Sequence, residues 1–244
     1  MSVFNQAVNV VNMGGYKLVE SGFINDASFN FDEPFGHAVV FCFVLPDYSM
    51  SNSTPVEFNE KSAKRRFFVA LLPPIEVQEK VNEVKGVMRD RFNSKAAFRS
   101  PPHITLHAPF EWPVSAISRL QDSLSKFAYS QKPISITLDG YNAFAPHVIY
   151  IDVARRAGLM SLQPKLLAHL ESDISLTSKQ DRKRTYVPHL TVAFRDLKPN
   201  MFRKAWAEFQ RKEFHADFTA SQLSLLAHNG KLWTVKESYE FAEV

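Results

Sequence analysis

Pro102-His103-Ile104-Thr105-Leu106 and Pro188-His189-Leu190-Thr191-Val192 are two copies of one pattern, Pro-His-apolar-Thr-apolar, in a chain of 244 residues. Side chains on a strand alternate faces, so His and Thr share one face of each segment. Ile104 and Leu106, or Leu190 and Val192, share the other. Each segment is therefore predicted to be a strand whose imidazole and hydroxyl are backed by an apolar face turned to a core. A single His-x-Thr carries little information and is ordinarily a plain strand pair. Two matching copies in equivalent places of a repeated unit carry far more.

The repeated unit is legible on either side of the motifs. Phe67 to Leu72 is a short apolar run ended by Pro73-Pro74, the pattern of a buried strand. Val77, Val81, Val84, Met88 and Phe92 then recur at helical spacing, which predicts a helix over 75–92. Pro101-Pro102 leads into an extended segment over 103–110, because residues before and at proline favour extended backbone. A second helix is predicted over 114–129, and strands over 134–144 and 147–153. The order then recurs: a helix over 161–171, with Pro164 tolerable only in its first turn, a basic loop over 178–185, and a proline-led strand over 186–194. A helix over 199–211 and strands over 216–228 and 231–242 complete the chain, the last two joined at Asn229-Gly230, a strong hairpin signal. Strands and helices mixed in this way predict an α+β fold with antiparallel sheets, and the duplication predicts pseudo-twofold symmetry.

If the halves pair symmetrically, two histidines flank one space. Cleavage of a phosphodiester by a neighbouring ribose hydroxyl, or opening of a cyclic phosphate by water, needs one proton removed and another delivered. Two imidazoles on opposite sides of the phosphorus do both near neutral pH without a metal, since histidine titrates near 6.5. Threonine hydroxyls can donate hydrogen bonds to the non-bridging oxygens, where negative charge concentrates.

With both motifs in view, the sequence over about 65–244 resembles the 2H phosphoesterase superfamily, which includes the RNA 2′,3′-cyclic phosphodiesterases also called 2′-5′ RNA ligases. The resemblance implies a bilobal, duplicated α+β fold, each lobe a small antiparallel sheet backed by helices, with the active cleft between lobes. It implies that His103 and His189 are the catalytic acid and base, that Thr105 and Thr191 bind the phosphate, and that no metal or other cofactor is required. The implied partner is RNA or a nucleotide with a cyclic phosphate or a 2′-5′ linkage, and no obligate protein partner is inferred. Two departures stand out. Many RNA-directed members follow the first motif with a basic residue, where this chain has His107-Ala108-Pro109-Phe110. Residues 1–64 have no counterpart in the minimal family core.

Further contacts are expected around the motifs. His107 falls by alternation on the face of His103 and Thr105, at the cleft rim or as a structural histidine. Lys179, Arg182, Lys183 and Arg184 form either an electrostatic lip ahead of the second motif or a solvated loop. Tyr186 and Phe68 offer rings for stacking on a base, although Phe68 fits a core equally well. Arg195 is placed to reach a phosphate, unless Asp196 pairs with it. Two other functions compete with the enzyme: an RNA- or nucleotide-binding module that has lost catalysis, and a metal-dependent hydrolase built on His103 and His107.

Charge and composition agree with an anionic ligand. Residues 1–60 hold one cation, Lys17, against seven carboxylates, whereas the rest of the chain holds 28 cations against 18 carboxylates. A basic body behind an acidic leader suits phosphate or nucleic acid, though it is also what a soluble surface looks like. The leader, residues 1–64, is expected to form an arm or a strand or two, ending in the Ser-, Asn- and Pro-rich stretch 49–55 and the charged patch 60–66. The single cysteine, Cys42, excludes an intramolecular disulfide and a cysteine-based zinc cluster, which suits a reducing cytoplasm. No apolar run reaches the length of a membrane span, and the amino terminus lacks the features of a secretory signal. A cytoplasmic protein with no membrane partner is expected.

Overall fold

The computed structural model describes residues 8–13, 16–21, 63–176 and 185–242. The chain divides into two units, Met1–Val56 and Glu57–Val244. In the first, β1 (Val8–Met13) and β2 (Tyr16–Ser21) pair antiparallel, with Val8 opposite Ser21 and Met13 opposite Tyr16. Residues 22–62, including the apolar run 37–45, and the basic loop residues 177–184, including Arg184, lie outside the described residues.

The second unit contains two four-stranded sheets. β3 (Lys64–Leu71) is the apolar run of the first repeat, and residues Phe67 to Leu71 are buried without a break. Alternation sorts them: Phe67, Val69 and Leu71 enter the main core, whereas Phe68 and Ala70 pack with Leu226 on the other face. α1 (Ile75–Phe92) starts behind Pro74, which caps it in extended conformation, and stops at Asn93 in the left-handed region. After a 3₁₀ turn at Ala96–Arg99 comes β4 (Ile104–Pro113), then α2 (Ile117–Tyr129), β5 (Ile134–Phe144), β6 (Val148–Val153) and α3 (Ala157–Ile174). β7 (His189–Ala193), α4 (Pro199–Phe209), β8 (His215–Ala220), β9 (Gln222–His228) and β10 (Trp233–Glu240) follow.

One sheet has the order β10-β9-β3-β4 and the other β7-β6-β5-β8, with every pairing antiparallel. The two motif strands, β4 and β7, are thus each an edge of its own sheet, and they approach each other. The crossover helices are exchanged between lobes. α1 connects β3 to β4 yet packs on β7 and α4, while α3 connects β6 to β7 yet packs on β4 and α2. Each motif strand is therefore buttressed by a helix from the opposite lobe, and the duplicated α+β architecture expected from the repeat is present. Among the described residues no helix is long and apolar enough to cross a membrane.

Two expectations are corrected. The stretch 216–228 is not one strand but two, broken at the exposed Ser221, with β8 in one sheet and β9 in the other. β8 alternates as an edge strand does, whereas Leu223 to Ala227 of β9 are buried on both faces, as a central strand requires. The first lobe is therefore completed by the carboxyl-terminal end of the chain. The third helix begins at Ala157 rather than 161, so Pro164 sits inside it and not in its first turn. Proline there removes only its own amide bond, to the Met160 carbonyl, and its ring lies on the exposed side.

Candidate active site

The two motif histidines are held in the same way. His103, immediately ahead of β4, donates its Nδ1–H to the Pro101 carbonyl oxygen at 2.7 Å. His189, the first residue of β7, donates its Nδ1–H to the Val187 carbonyl oxygen, also at 2.7 Å. A carbonyl only accepts, so each neutral imidazole keeps its proton on Nδ1 and its lone pair on Nε2. The proline between histidine and carbonyl, Pro102 or Pro188, favours the extended backbone that brings each ring back onto the residue two positions earlier.

Aromatic rings fix the imidazoles from the side. Phe68 lies 4.8 Å from His103 between ring centroids. Phe144 and Tyr150 lie 5.1 and 5.2 Å from His189. Behind the motifs, Ile104, Leu106, Leu190 and Val192 are buried at 0 or 1% exposure, as alternation requires.

Two depressions meet at Thr105 and Pro109. The larger, about 370 Å³, is lined by His189, Phe144, Gln163, Thr185 and Tyr186 among others. The smaller, about 140 Å³, is lined by His103, Phe68, Arg66, Arg99, Arg195 and Trp233 among others. His103 and His189 thus border the two parts of one hollow, which share Thr105 and Pro109 in their walls. Thr191 is half-buried on β7 opposite Tyr150 and lines neither depression. Tyr186 lines the larger depression and ties the lobes together, its hydroxyl donating to the Thr105 carbonyl oxygen at 3.2 Å.

Burial lowers the pKa of both rings. His103 is pushed down to about 4, chiefly by desolvation; its bond to Pro101 opposes the shift, and the positive charges of Lys85 and His189 add to it. His189 is lowered for the same first reason, against the opposing effects of the Val187 carbonyl and Asp152.

Three other placements differ from the alternation pattern or refine it. His107 is 1% exposed and lines neither depression, because register slips on either side of it, between Val69 and Ala70 and between Phe67 and Val69, break the alternation of β4. Its Nδ1–H donates to the Ala108 carbonyl at 2.7 Å and its ring meets Phe110 edge-on at 4.8 Å. It is an interior histidine, not a rim contact, and it does not pair with His103 in one cavity. Phe68, 3% exposed, spends its ring on His103 and Trp233 rather than presenting a free face for a base. Asp196 does not answer Arg195: its carboxylate accepts from the Ser94 hydroxyl and from the Lys95 and Ala96 amides, each at 2.9 Å.

Lys85 is a neighbour of the site to which neither motif points. It is 1% exposed on α1, and its Nζ donates to the Ser100 carbonyl oxygen at 3.1 Å, next to the residue that holds His103. Burial lowers its pKa to about 8. The helical stripe carries the signal for it: Val77, Val81, Lys85, Met88 and Phe92 share one face, so a lysine occupies a core position. Arg66, Arg99, Gln163, His228 and Trp233 belong to no motif, and only the fold brings them to the hollow. Among the described residues no group of three or more His, Cys, Asp or Glu side chains is arranged to hold a metal ion.

The chain is similar to known proteins. A "Putative phosphoesterase" of Geobacillus kaustophilus is 28% identical over 178 residues, covering 71% of this chain and 95% of its own length. Another putative phosphoesterase, from Bacillus cytotoxicus, is likewise 28% identical over 178 residues, covering 72% and 96%. Among solved structures, E. coli LigT complexed with 3′-AMP superposes with a TM-score of 0.55 at 18% identity, over 74% of this chain and 100% of its own. The protein TT0787 of Thermus thermophilus does so with a TM-score of 0.53 at 20% identity, over 73% and 100%. Both likenesses are of fold. The model of the 2′-5′ RNA ligase superfamily matches residues 73–232, a span that runs from the start of α1 to the β9–β10 turn and includes both motif strands; the chain belongs to that superfamily.

Proposed function

We propose that the protein is a phosphoesterase acting on RNA-type phosphodiesters, opening ribose 2′,3′-cyclic phosphates or cleaving and joining 2′-5′ linkages, by metal-independent acid–base catalysis between His103 and His189. The observation that carries this reading is the matched pair of Nδ1–H bonds to Pro101 and Val187, which leaves the Nε2 lone pair of each ring unprotonated, with Thr105 lining the depression of either histidine. The relatives named as phosphoesterases and the 3′-AMP bound to E. coli LigT support a nucleotide-type substrate.

In hydrolysis of a cyclic phosphate, one imidazole takes a proton from water as its oxygen attacks phosphorus. The other gives a proton to the ribose oxygen as the P–O bond breaks. The lower pKa of His103 keeps it neutral over the wider pH range, which favours it as base and His189 as acid in this direction. Thr105 lines both depressions and is the motif hydroxyl disposed to donate to a non-bridging oxygen; the same role for Thr191 requires its side chain to reach into the hollow when substrate is bound.

The test is product analysis with nucleoside 2′,3′-cyclic phosphates, cyclic-phosphate-ended RNA and 2′-5′-linked oligoadenylate, in the presence of EDTA. Turnover of at least one is expected, with His103→Ala and His189→Ala each lowering it by roughly 10²–10⁴. Binding with no turnover of any would leave a nucleotide-binding module instead. Stimulation of a metal-stripped sample by zinc or manganese would count against the two-histidine scheme.

A further inference from the structure

We propose that the smaller depression beside His103 binds a second phosphate group of the substrate, distinct from the one at which reaction occurs. This rests on the hollow between His103 and His189 being the reaction site. Three guanidinium groups, Arg66, Arg99 and Arg195, line the depression together with His228, and no carboxylate lines it. None of the three arginines forms an ion pair among the described residues. Converging cations with nothing anionic between them repel one another, and an anion seated among them relieves that repulsion.

The arrangement is built rather than accidental. Arg195 has φ 61, a left-handed backbone that arginine rarely adopts, at the end of the second motif strand. Asp196, the next residue, binds Ser94 and the amides of Lys95 and Ala96, and so fastens the end of β7 to the turn that carries Arg99. Those bonds occupy the one carboxylate adjacent in sequence to Arg195 and bring arginines from both lobes to one depression. Arg66 lies over the face of Trp233 at 5.5 Å, and His228 meets the same ring at 4.8 Å. The Gly230 amide donates to His228 Nδ1 at 3.2 Å, so the proton of the neutral ring is on Nε2, which becomes one more donor. Guanidinium forks and an imidazole N–H match the oxygens of a phosphate.

The larger depression, with Phe144, Gln163 and Tyr186, differs in kind: it suits a nucleoside. A substrate lying across Thr105 would put its nucleoside on the His189 side and its extra phosphate on the His103 side. Such a phosphate comes either from the 5′ position of the same nucleotide or from the next linkage of an RNA strand.

Calorimetric titration of the full chain with adenosine 3′-monophosphate, adenosine 3′,5′-bisphosphate and a dinucleotide 3′-phosphate separates these. One or both of the doubly phosphorylated ligands is expected to bind roughly tenfold or more tighter than the monophosphate at low salt, since each charge-assisted bond adds to affinity. The bisphosphate being preferred assigns the 5′-phosphate, and the dinucleotide being preferred assigns the strand. Arg66→Gln and Arg99→Gln, exposed positions whose replacement leaves the fold intact by circular dichroism, are expected to bring the ratio close to one. Equal affinities in the wild type, or a ratio untouched by both substitutions, overturn the proposal. Because the readout is binding, turnover of cyclic phosphates with a ratio of one would sink this pocket alone. An arginine-dependent ratio without any turnover would sink the acid–base reading alone.

Discussion

At the residue scale, the site is governed by how much water the two imidazoles have lost. Burial holds His103 near a pKa of about 4 and His189 below its ordinary 6.5, so both rings are neutral at pH 7 in the free protein. One of them has to be protonated to act as acid. If His103 is the base, activity is lost on acidification as it protonates near pH 4; if His189 is the acid, activity is lost on alkalinisation as it deprotonates below 6.5. The kcat/KM profile is therefore expected to be a bell with its maximum on the acid side of 6.5, the two limbs belonging to the coupled pair. Lys85, with a pKa of about 8, is charged throughout that window, and its charge helps to push His103 down. Lys85→Met is expected to move the acid limb upward, read from initial rates between roughly pH 3.5 and 8, a span that brackets these values. An acid limb that stays in place in a folded Lys85→Met protein would show that the lysine acts only on the Ser100 backbone. The fold feels the same shift. Because the folded pKa of His103 is below the unfolded one, its contribution to stability is least negative above 6.5, where the ring is neutral in both states, and a penalty grows as pH falls toward about 4.

At the element scale, what the sequence disclosed was whatever depends on local period. The two motif strands, the stripe of α1 and the Asn229-Gly230 turn, where Gly230 has φ 97, follow from alternation, helical spacing and turn chemistry. What stayed hidden depends on partners far along the chain. Ser221 looks like any residue within one long strand, and only the separate sheets around it reveal a crossing. His107 obeys alternation on paper and loses it to register slips against β3. Arg66 of β3, Arg99 of the 3₁₀ turn and Arg195 just beyond β7 are far apart in sequence and come to one depression only in the folded body. The start of α3 is hidden because proline ordinarily marks a helix's first turn, and its interior position here makes a measurable claim. A proline in a helix interior costs up to ~3 kcal/mol, and this one is exposed, so little packing is lost with its ring. Pro164→Ala restores an amide opposite the Met160 carbonyl and is expected to stabilise the protein by about 1–3 kcal/mol in urea denaturation. A loss of stability would mean that the restricted backbone of proline contributes more to α3 than the restored amide bond does.

At the scale of the whole molecule, the exchange of α1 and α3 between lobes makes the folded body indivisible. The first sheet cannot be assembled from one half of the sequence, since it needs β9 and β10 from the far end, and each motif strand leans on the other lobe's helix. The hydrophobic core reflects this: Phe67 and Leu71 of β3, Leu190 of β7 and Leu223 of β9 belong to one buried cluster. We propose that this body, from about residue 65, is the catalytic domain and that residues 1–64 are an extension to it. The family match lies wholly within the body, and the relatives are nearly fully covered by 71–72% of this chain. A truncation beginning at Ser62 keeps every element of the two large sheets. It is expected to unfold in a single cooperative transition and to retain cyclic-phosphate turnover within a few-fold of the full chain, measured side by side. The leader carries the acidic excess of the sequence, so its removal should also sharpen the dependence of turnover on salt, because the remaining body is more strongly basic. A truncated protein that aggregates, or that folds without activity while the full chain is active, would show that residues 1–64 complete the body rather than extend it.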